Sequence, residues 1–131
     1  MIKIIVITPE RIVWNTTADK VILPGSQGQV GILTNHAPLI TALDIGALRL
    51  KIGNTKKVLI LLGGFAEVEN NEITVLVNGV EEITDMDLPA AKIALAKARE
   101  LLETSQIESE KLNAVQNLKK VIARVQALQF L

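Results

Sequence analysis

The chain is written in two different residue patterns, and the change from one to the other constrains its fold more than any other feature. Residues 1–80 hold short runs of β-branched and aliphatic residues separated by glycine, proline and asparagine, which is typical of β-strands. From residue 89 onward, alanine, leucine, lysine and glutamate recur at helical spacing. We therefore predict a β domain followed by a helical unit.

The first part predicts an antiparallel sandwich or barrel, because many short strands lie between closely spaced turns. Residues 48–52 alternate between apolar and charged side chains, as expected for a strand with one buried face. Asn70 and Asn71 separate two such runs, and asparagine tolerates the positive φ angles of a two-residue hairpin turn. Further strands are predicted at residues 2–7, 21–23, 57–62, 66–69 and 72–77.

The second part, residues 87–131, predicts an antiparallel two-helix hairpin. Asp85 or Asp87 can cap the first helix, and Pro89 suits its first turn because the missing N–H costs nothing there. Residues 104–106 form a polar break, after which a second, longer helix follows. A two-helix unit of this size recovers at best about the free energy that ordering it costs. Its stability should come from docking onto the sandwich or onto a partner, and two docks of similar energy would allow a switch.

Composition excludes several classes of function. Among 131 residues only 2% are aromatic and none is tyrosine, which argues against stacking on bases or sugars. Fourteen basic and fourteen acidic residues leave no net charge that would attract nucleic acid. The absence of cysteine excludes disulfides and thiol chemistry. The charge-free run at residues 21–43 is broken by glycines and prolines, and no targeting segment is visible, so we expect membrane association only through partners.

The charges are divided between the two parts. The chain up to Leu88 has seven basic and ten acidic residues, a net charge of −3, and the rest has seven basic and four acidic residues, a net charge of +3. The cations Lys119, Lys120 and Arg124 dominate the second helix. Such a face is commonly just solvated, but it would also suit an acidic partner.

Residues 24–39 hold three glycines, two prolines and the only histidine, and they are the strongest candidate for a binding surface. Glycines three residues apart fit bends, or places where something approaches the backbone closely. No Gly-Lys-Ser/Thr follows them, which argues against a phosphate-binding loop. Ser26, His36 and Asp44 lack the surroundings of a catalytic triad, and a single histidine without cysteine argues against a metal site. We therefore predict no catalytic, cofactor-binding or metal-binding residue.

The same segment carries a family resemblance. Residues 28–39, Gly-Gln-Val-Gly-Ile-Leu-Thr-Asn-His-Ala-Pro-Leu, resemble the G-x-x-G-[IV]-L-x-x-H-A-P-[LI] signature of the epsilon subunit of F-type ATP synthase. Residues 41–46, 63–66 and 70–78 match the same family in the same order. The resemblance covers the whole chain. Residues 8–14 and 63–66 are most similar to chloroplast and cyanobacterial members.

The resemblance implies an all-β sandwich of about ten short antiparallel strands over residues 1–86, followed by the helical hairpin at residues 87–131. It implies a non-catalytic rotor subunit whose sandwich binds the gamma subunit and the c-ring, without a cofactor. The hairpin would inhibit ATP hydrolysis, while the subunit couples proton flow to ATP synthesis. The expected location is the stromal side of a plastid thylakoid membrane, reached only through the complex, with a cyanobacterial thylakoid or a bacterial inner membrane as the alternative.

The resemblance also implies interface roles for six residues: Thr8 and His36 toward gamma, Gln29 toward the c-ring loops, and Lys119, Lys120 and Arg124 toward an acidic segment of the beta subunits. Many relatives carry an acidic residue at the position of Gln29. The neutral amide cannot form a salt bridge there, which leaves a hydrogen bond as the polar contact. Some bacterial relatives bind ATP through an [IL]-D-x-x-R-A pattern, but Ala90 stands here in place of the arginine. Because the phosphate-pairing charge is missing, we expect negligible ATP binding.

Two other functions compete with this interpretation. A free-standing β-sandwich that binds a ligand would need aromatic or polar anchors in a pocket, and aromatic residues are nearly absent. A small hydrolase would have to use His36, for which no suitable nucleophile is evident.

Overall fold

The computed structural model describes residues 1–83, 87–106 and 108–131. In these residues eight strands precede two helices. The elements are β1 (Ile2–Ile7), β2 (Ile12–Ala18), β3 (Lys20–Gly25), β4 (Gly28–Ile32), β5 (Leu39–Ile52), β6 (Thr55–Glu69), β7 (Glu72–Val77), β8 (Val80–Glu81), α1 (Leu88–Thr104) and α2 (Glu108–Phe130).

The strands form one continuous sheet in the order β2-β1-β7-β6-β5-β3-β4, and β8 pairs with β6. This sheet folds over on itself to form a sandwich. The two long strands β5 and β6 belong to both layers. The pairing of β5 with β6 is interrupted at Asp44, where Leu43 faces Gly64 and Ile45 faces Leu62. Gly64 has a φ of 154°, and a side chain there would overlap the carbonyl oxygen of Leu76. The sheet therefore turns its corner where only glycine fits.

The predicted combination of a sandwich and a hairpin is confirmed, but two details of the prediction are wrong. The described strands number eight rather than about ten, because β5 and β6 run for 14 and 15 residues without ending at their glycines. The strands are not all antiparallel either, since β1 and β7 pair in parallel. These two strands are far apart in sequence, so no tight turn between them imposes an antiparallel arrangement.

The predicted hairpin turn at Asn70 and Asn71 is confirmed, with φ angles of 50° and 61°. Both residues adopt the left-handed conformation that two-residue hairpins of this kind require. A second two-residue hairpin turn, Ser26 and Gln27, joins β3 to β4 between the facing Gly25 and Gly28. The sandwich core between the layers is aliphatic, as the composition requires, and it includes Ile2, Ile4, Val6, Leu23, Leu48, Leu50, Leu59, Leu61, Ile73 and Val75.

The first helix begins as the sequence predicts, with Pro89 in its first turn. Asp87 precedes it in an extended conformation, but its side chain makes no capping hydrogen bond. Its carbonyl oxygen accepts the backbone N–H of Ala91 at 2.9 Å. The alternative cap Asp85 and the predicted domain boundary after residue 86 lie outside the described residues, so the boundary stays a prediction.

The second helix attaches the hairpin to the sandwich through small side chains. Ala123 and Ala127 are buried against Ala47, Val58 and Ile60 of β5 and β6. Alanine lets the helix approach the sheet closely, and the partly buried Leu62, Ile83 and Phe130 surround this contact. Helix α1 packs against α2 and buries Ala98. Neither helix, over the residues described, combines the length and apolar character that crossing a bilayer demands.

Candidate interaction surfaces

Two of the predicted docking cations contact the sandwich of their own chain. The Lys119 ammonium donates to both carboxylate oxygens of Asp44, at 3.2 Å each. Arg124 binds Glu81 through two hydrogen bonds, from Nε to Oε2 at 2.8 Å and from Nη2 to Oε1 at 2.6 Å. These two contacts, which we call the docking pairs, hold α2 against the sandwich at both sides of its alanine contact.

The Arg124–Glu81 pair is the stronger of the two. Its geometry is bidentate, and both side chains are about 30% exposed, against 42% for each side chain of the Lys119–Asp44 pair. The hydrogen bond to the Glu81 carboxylate raises the pKa of Arg124 above its ordinary value. Because the arginine pKa is raised, the guanidinium loses its charge, and this contribution with it, only above the ordinary arginine range. Arg124 therefore stays charged throughout the physiological range.

The third predicted cation, Lys120, is half-buried and forms no ion pair with any described residue. The acidic partners Asp44 and Glu81 were not predicted as site residues. The opposite net charges of the two parts of the chain were the available signal, but sequence alone does not tell which acid meets which cation.

The Thr8 side chain makes its hydrogen bonds within the turn between β1 and β2. It is only 7% exposed; its hydroxyl donates to the Arg11 carbonyl at 3.2 Å and lies 3.3 Å from the Arg11 backbone N–H. The Thr8 side chain thus shapes the connection from β1 to β2. It also lines an open groove of about 490 Å³ beside Phe65 and Leu76.

The groove lies on an exposed apolar row that the sequence analysis missed. The strand register places one outward-facing residue from each of five neighbouring strands in this row: Ala42, Phe65, Leu76, Ile7 and Ile12. Phe65 is 61% exposed, Leu76 53% and Ile12 59%. A contiguous apolar surface of this kind marks a contact with another macromolecule more often than an isolated exposed leucine does.

His36 lies in the connection between β4 and β5, where its Nδ1 is 2.6 Å from the carbonyl oxygen of Ala37. A pair of asparagines fixes this connection to the turn between β6 and β7. The Asn35 backbone N–H donates to Asn71 Oδ1 at 2.6 Å, and Asn71 Nδ2 donates to Asn35 Oδ1 at 3.3 Å. Asn71 was predicted only as a turn residue, but it also positions the His36 segment.

Gln29 is exposed on β4, an edge strand of the sheet, and faces Pro24 of β3. The glycines around it differ in role. A Cβ at Gly25 would lie 2.6 Å from the Gly28 carbonyl oxygen, so close approach explains that glycine. A Cβ at Gly31 would meet nothing within 4 Å, so crowding within the chain does not explain that one.

The predicted interface residues thus lie on separate surfaces. Thr8 and the Asn35–Asn71 contact beside His36 lie toward opposite ends of β7, Gln29 lies on the β4 edge, and the cations lie under and along α2. Over residues 1–83, 87–106 and 108–131, no three side chains of the types that bind metals come together. This distribution suits a protein that contacts several neighbours.

Known proteins resemble this chain over most of its length. The family model described as ATP synthase, Delta/Epsilon chain, beta-sandwich domain matches residues 1–83. The chloroplastic ATP synthase epsilon chain of Porphyra purpurea is 51% identical over 122 residues, which cover 93% of this chain and 91% of that one. The corresponding chain of Cyanidioschyzon merolae is 50% identical over 128 residues, 98% of each chain.

Solved structures share the fold at low identity. A chain of the Euglena gracilis mitochondrial ATP synthase, in its OSCP/F1/c-ring structure, aligns with a TM-score of 0.79 and 19% identity, covering 97% of this chain and 81% of that one. A chain of the Tetrahymena thermophila mitochondrial ATP synthase central stalk and c-ring aligns with a TM-score of 0.64 and 14% identity, covering 96% and 95%. With a family model over the sandwich and relatives at about half identity over nearly its whole length, the chain belongs to the epsilon-chain family of F-type ATP synthases.

Proposed function

We propose that this subunit joins the gamma subunit and the c-ring at the foot of the rotor, and that its hairpin restrains ATP hydrolysis by leaving the sandwich for the catalytic head. Family membership makes the chain a non-catalytic subunit of the ATP synthase. The observation that carries the regulatory part is the pair of docking contacts. Two of the three cations expected to meet an acidic partner, Lys119 and Arg124, are already occupied by acids of the sandwich.

The exposed apolar row is the surface that best suits gamma. Phe65 and Leu76 form its centre, and a large aromatic with an aliphatic neighbour is the kind of side-chain pair that dominates binding energy when buried. Thr8 lies at the edge of the same groove, which agrees with its expected place near gamma. Gln29, on the open edge strand, would offer its amide to the polar loops of the c-ring.

The hairpin can exchange one dock for another because its attachment is weak. Partly exposed ion pairs contribute about 0.2–1 kcal/mol each, with the bidentate Arg124 pair at the upper end. The remaining contact is apolar and centres on Ala123 and Ala127, whose small side chains each bury little surface. An acidic segment of the beta subunits would compete with Asp44 and Glu81 for Lys119 and Arg124. An equilibrium of this kind shifts toward whichever dock binds the cations more strongly.

Removal of the hairpin tests its inhibitory role. A chain ending at residue 86 should still fold as a sandwich and assemble, and the assembled enzyme should hydrolyse ATP faster than the enzyme with the full chain. The measurement is steady-state hydrolysis by complexes reconstituted side by side, with co-purification of gamma and the c-ring as the control for assembly. Hydrolysis no faster than that of the intact enzyme would show that this hairpin does not inhibit.

Charge reversal at Lys119, Lys120 and Arg124 should weaken inhibition more at low salt than at high salt, because salt screens an electrostatic dock. Reversal at Lys119 or Arg124 also breaks a docking pair, so it changes both docks at once. The cleaner variant is Lys120→Glu, which leaves both pairs intact. An effect of Lys120→Glu that is equal at both salt concentrations would argue against the acidic partner.

Two further parts of the proposal follow from the family. Because the relatives are chloroplastic, we place the subunit on the stromal side of a thylakoid membrane, held there by the complex, with a cyanobacterial or other bacterial membrane as the alternative. Ala90, exposed in the first turn of α1, supplies no charge for a phosphate, so nucleotide binding at that position should be negligible. Calorimetric titration with ATP that gave micromolar affinity would contradict this.

A further inference from the structure

The docked α2 covers a pocket of about 200 Å³ between the helix and the sheet. The sheet contributes Arg49 and the bend at Asp44, and the β3–β4 hairpin contributes Gln29. The helix contributes Lys119 and Gln126. Polar and cationic side chains therefore face one another across a space that exists only while the hairpin is docked.

Arg49 is the unusual member of this set. It lies on β5 between Ile22 of β3 and Val58 of β6, on the face that α2 covers. Its Nε is buried and has no acceptor in the part of the chain that the structure describes. Buried donors in proteins are nearly always paired, and a guanidinium cannot relieve the cost by losing its charge. The pocket thus holds a cationic donor that has no acceptor among the described residues, and an anion bound in the pocket would supply one.

The charges around the pocket indicate the charge of the ligand that it would bind. Arg49 and Lys119 are cationic and Asp44 is anionic, so the lining has one positive charge in excess. Asp44 is already engaged by Lys119, whereas the Nε of Arg49 has no such partner. Gln29 and Gln126 add neutral amide donors around the same space. An anion with several acceptor oxygens suits a lining that draws its donors from β5, β4 and α2.

We propose that this pocket binds a small oxyanion of the phosphate class, held by Arg49 from the sandwich and by Lys119 and Gln126 from α2. Because the ligand joins the two parts of the molecule, it binds the docked hairpin and not the released one. Binding therefore raises the ratio of docked to released hairpin. The factor is one plus the ligand concentration divided by the dissociation constant. The site is distinct from the start of α1, where Ala90 lies, and it does not depend on the function proposed for the hairpin in the complex.

Titration of the full-length isolated chain with inorganic phosphate tests the site, followed by NMR of the Arg49 Nε–H and of the α2 backbone amides. Sodium chloride at matched ionic strength is the reference, and sulfate is a second oxyanion. We expect saturable shifts with phosphate, weaker ones with sulfate and none of this kind with chloride. Arg49→Gln should reduce the affinity at least tenfold, while the matched variant Arg11→Gln, at an exposed arginine outside the pocket, should bind as the unmodified chain does.

Three results would overturn the proposal: no saturable shift, the same shift with chloride, or unchanged affinity in Arg49→Gln. Should Arg49→Gln release the hairpin by itself, the unmodified chain still decides the question through hydrogen exchange. Phosphate must then slow exchange of the α2 amides more than chloride does, and equal exchange in the two salts contradicts the proposal.

Discussion

The sandwich and the hairpin of this subunit are held together by different means. The sandwich has a continuous core of isoleucine, valine and leucine contributed by both layers, and many of these side chains are fully buried. The hairpin rests on that sandwich through Ala123, Ala127 and two partly exposed ion pairs. The sandwich thus has an extensive apolar core of its own, whereas the hairpin depends on a much smaller contact with the sandwich. Changes to the core should therefore unfold the molecule, and changes to the contact should only free the hairpin.

The largest effect is expected inside the sandwich. Leu59→Ala removes a fully buried side chain from the core and should cost about 2–5 kcal/mol of the free energy of unfolding, since a cavity remains. Urea unfolding followed by circular dichroism measures it. Leu76→Ala, at a leucine that is 53% exposed, is the matched control and should cost much less. Equal losses in the two variants would mean that the core does not dominate stability.

Overpacking of the contact between α2 and the sheet should have the second largest effect. Ala123→Leu enlarges a side chain that is buried against Ala47 and Ile60, and overpacking of such a contact costs about 1–3 kcal/mol, which should favour the released hairpin. Because the chain lacks cysteine, spin labels can be placed at the exposed Lys57 and Gln116 to measure the distance between sandwich and helix. The label distances should broaden and lengthen, while the sandwich stays folded. Ala96→Leu, on an exposed face of α1, should leave the distances unchanged, and a docked hairpin in Ala123→Leu would contradict the prediction.

Loss of the stronger docking pair should have a smaller effect. Glu81→Gln removes the charge that binds Arg124 and should weaken docking by about 1 kcal/mol, mostly at low salt. The same label distances report it, and the exposed Glu82→Gln is the control. In the assembled enzyme this variant should inhibit ATP hydrolysis more strongly, because Arg124 is freed for its partner. Weaker inhibition would mean that Glu81 does not compete with the beta subunits.

The smallest effect is expected at Asp44. Asp44→Asn removes the charge opposite Lys119 but keeps an oxygen for the Ile45 backbone N–H, which Asp44 accepts at 2.8 Å. Both side chains are 42% exposed, so we expect a loss of about 0.5 kcal/mol in docking. The same spin labels measure the loss in docking free energy. A larger loss for Asp44→Asn than for Glu81→Gln would show that the Lys119–Asp44 pair is the stronger one.

Local patterns predicted much of the architecture. The Asn70–Asn71 turn, the start of α1 near Pro89 and the two helices are all confirmed, because each depends on residues close together in sequence. Strands β2 and β4 were not predicted. Glycines and polar residues weaken the strand pattern of both, and pairing with the preceding strand, β1 for β2 and β3 for β4, supplies what local propensity lacks.

The candidate site could be predicted only in part. The sequence singled out Lys119 and Arg124, but not the acids that bind them or the buried Nε of Arg49. It also missed the apolar row, since Phe65 and Leu76 become neighbours only through the register of β6 and β7. The interface roles of Thr8, Gln29 and His36 stay predictions.

Residue patterns and motifs are local, so they were enough to predict the division into a β domain and a helical hairpin, the aliphatic core and the family. The folded structure was needed to show that the hairpin is docked, which acids bind Lys119 and Arg124, and which apolar side chains share one exposed surface. These features depend on residues that are distant in the chain, such as Arg124 and Glu81, and folding alone brings them together.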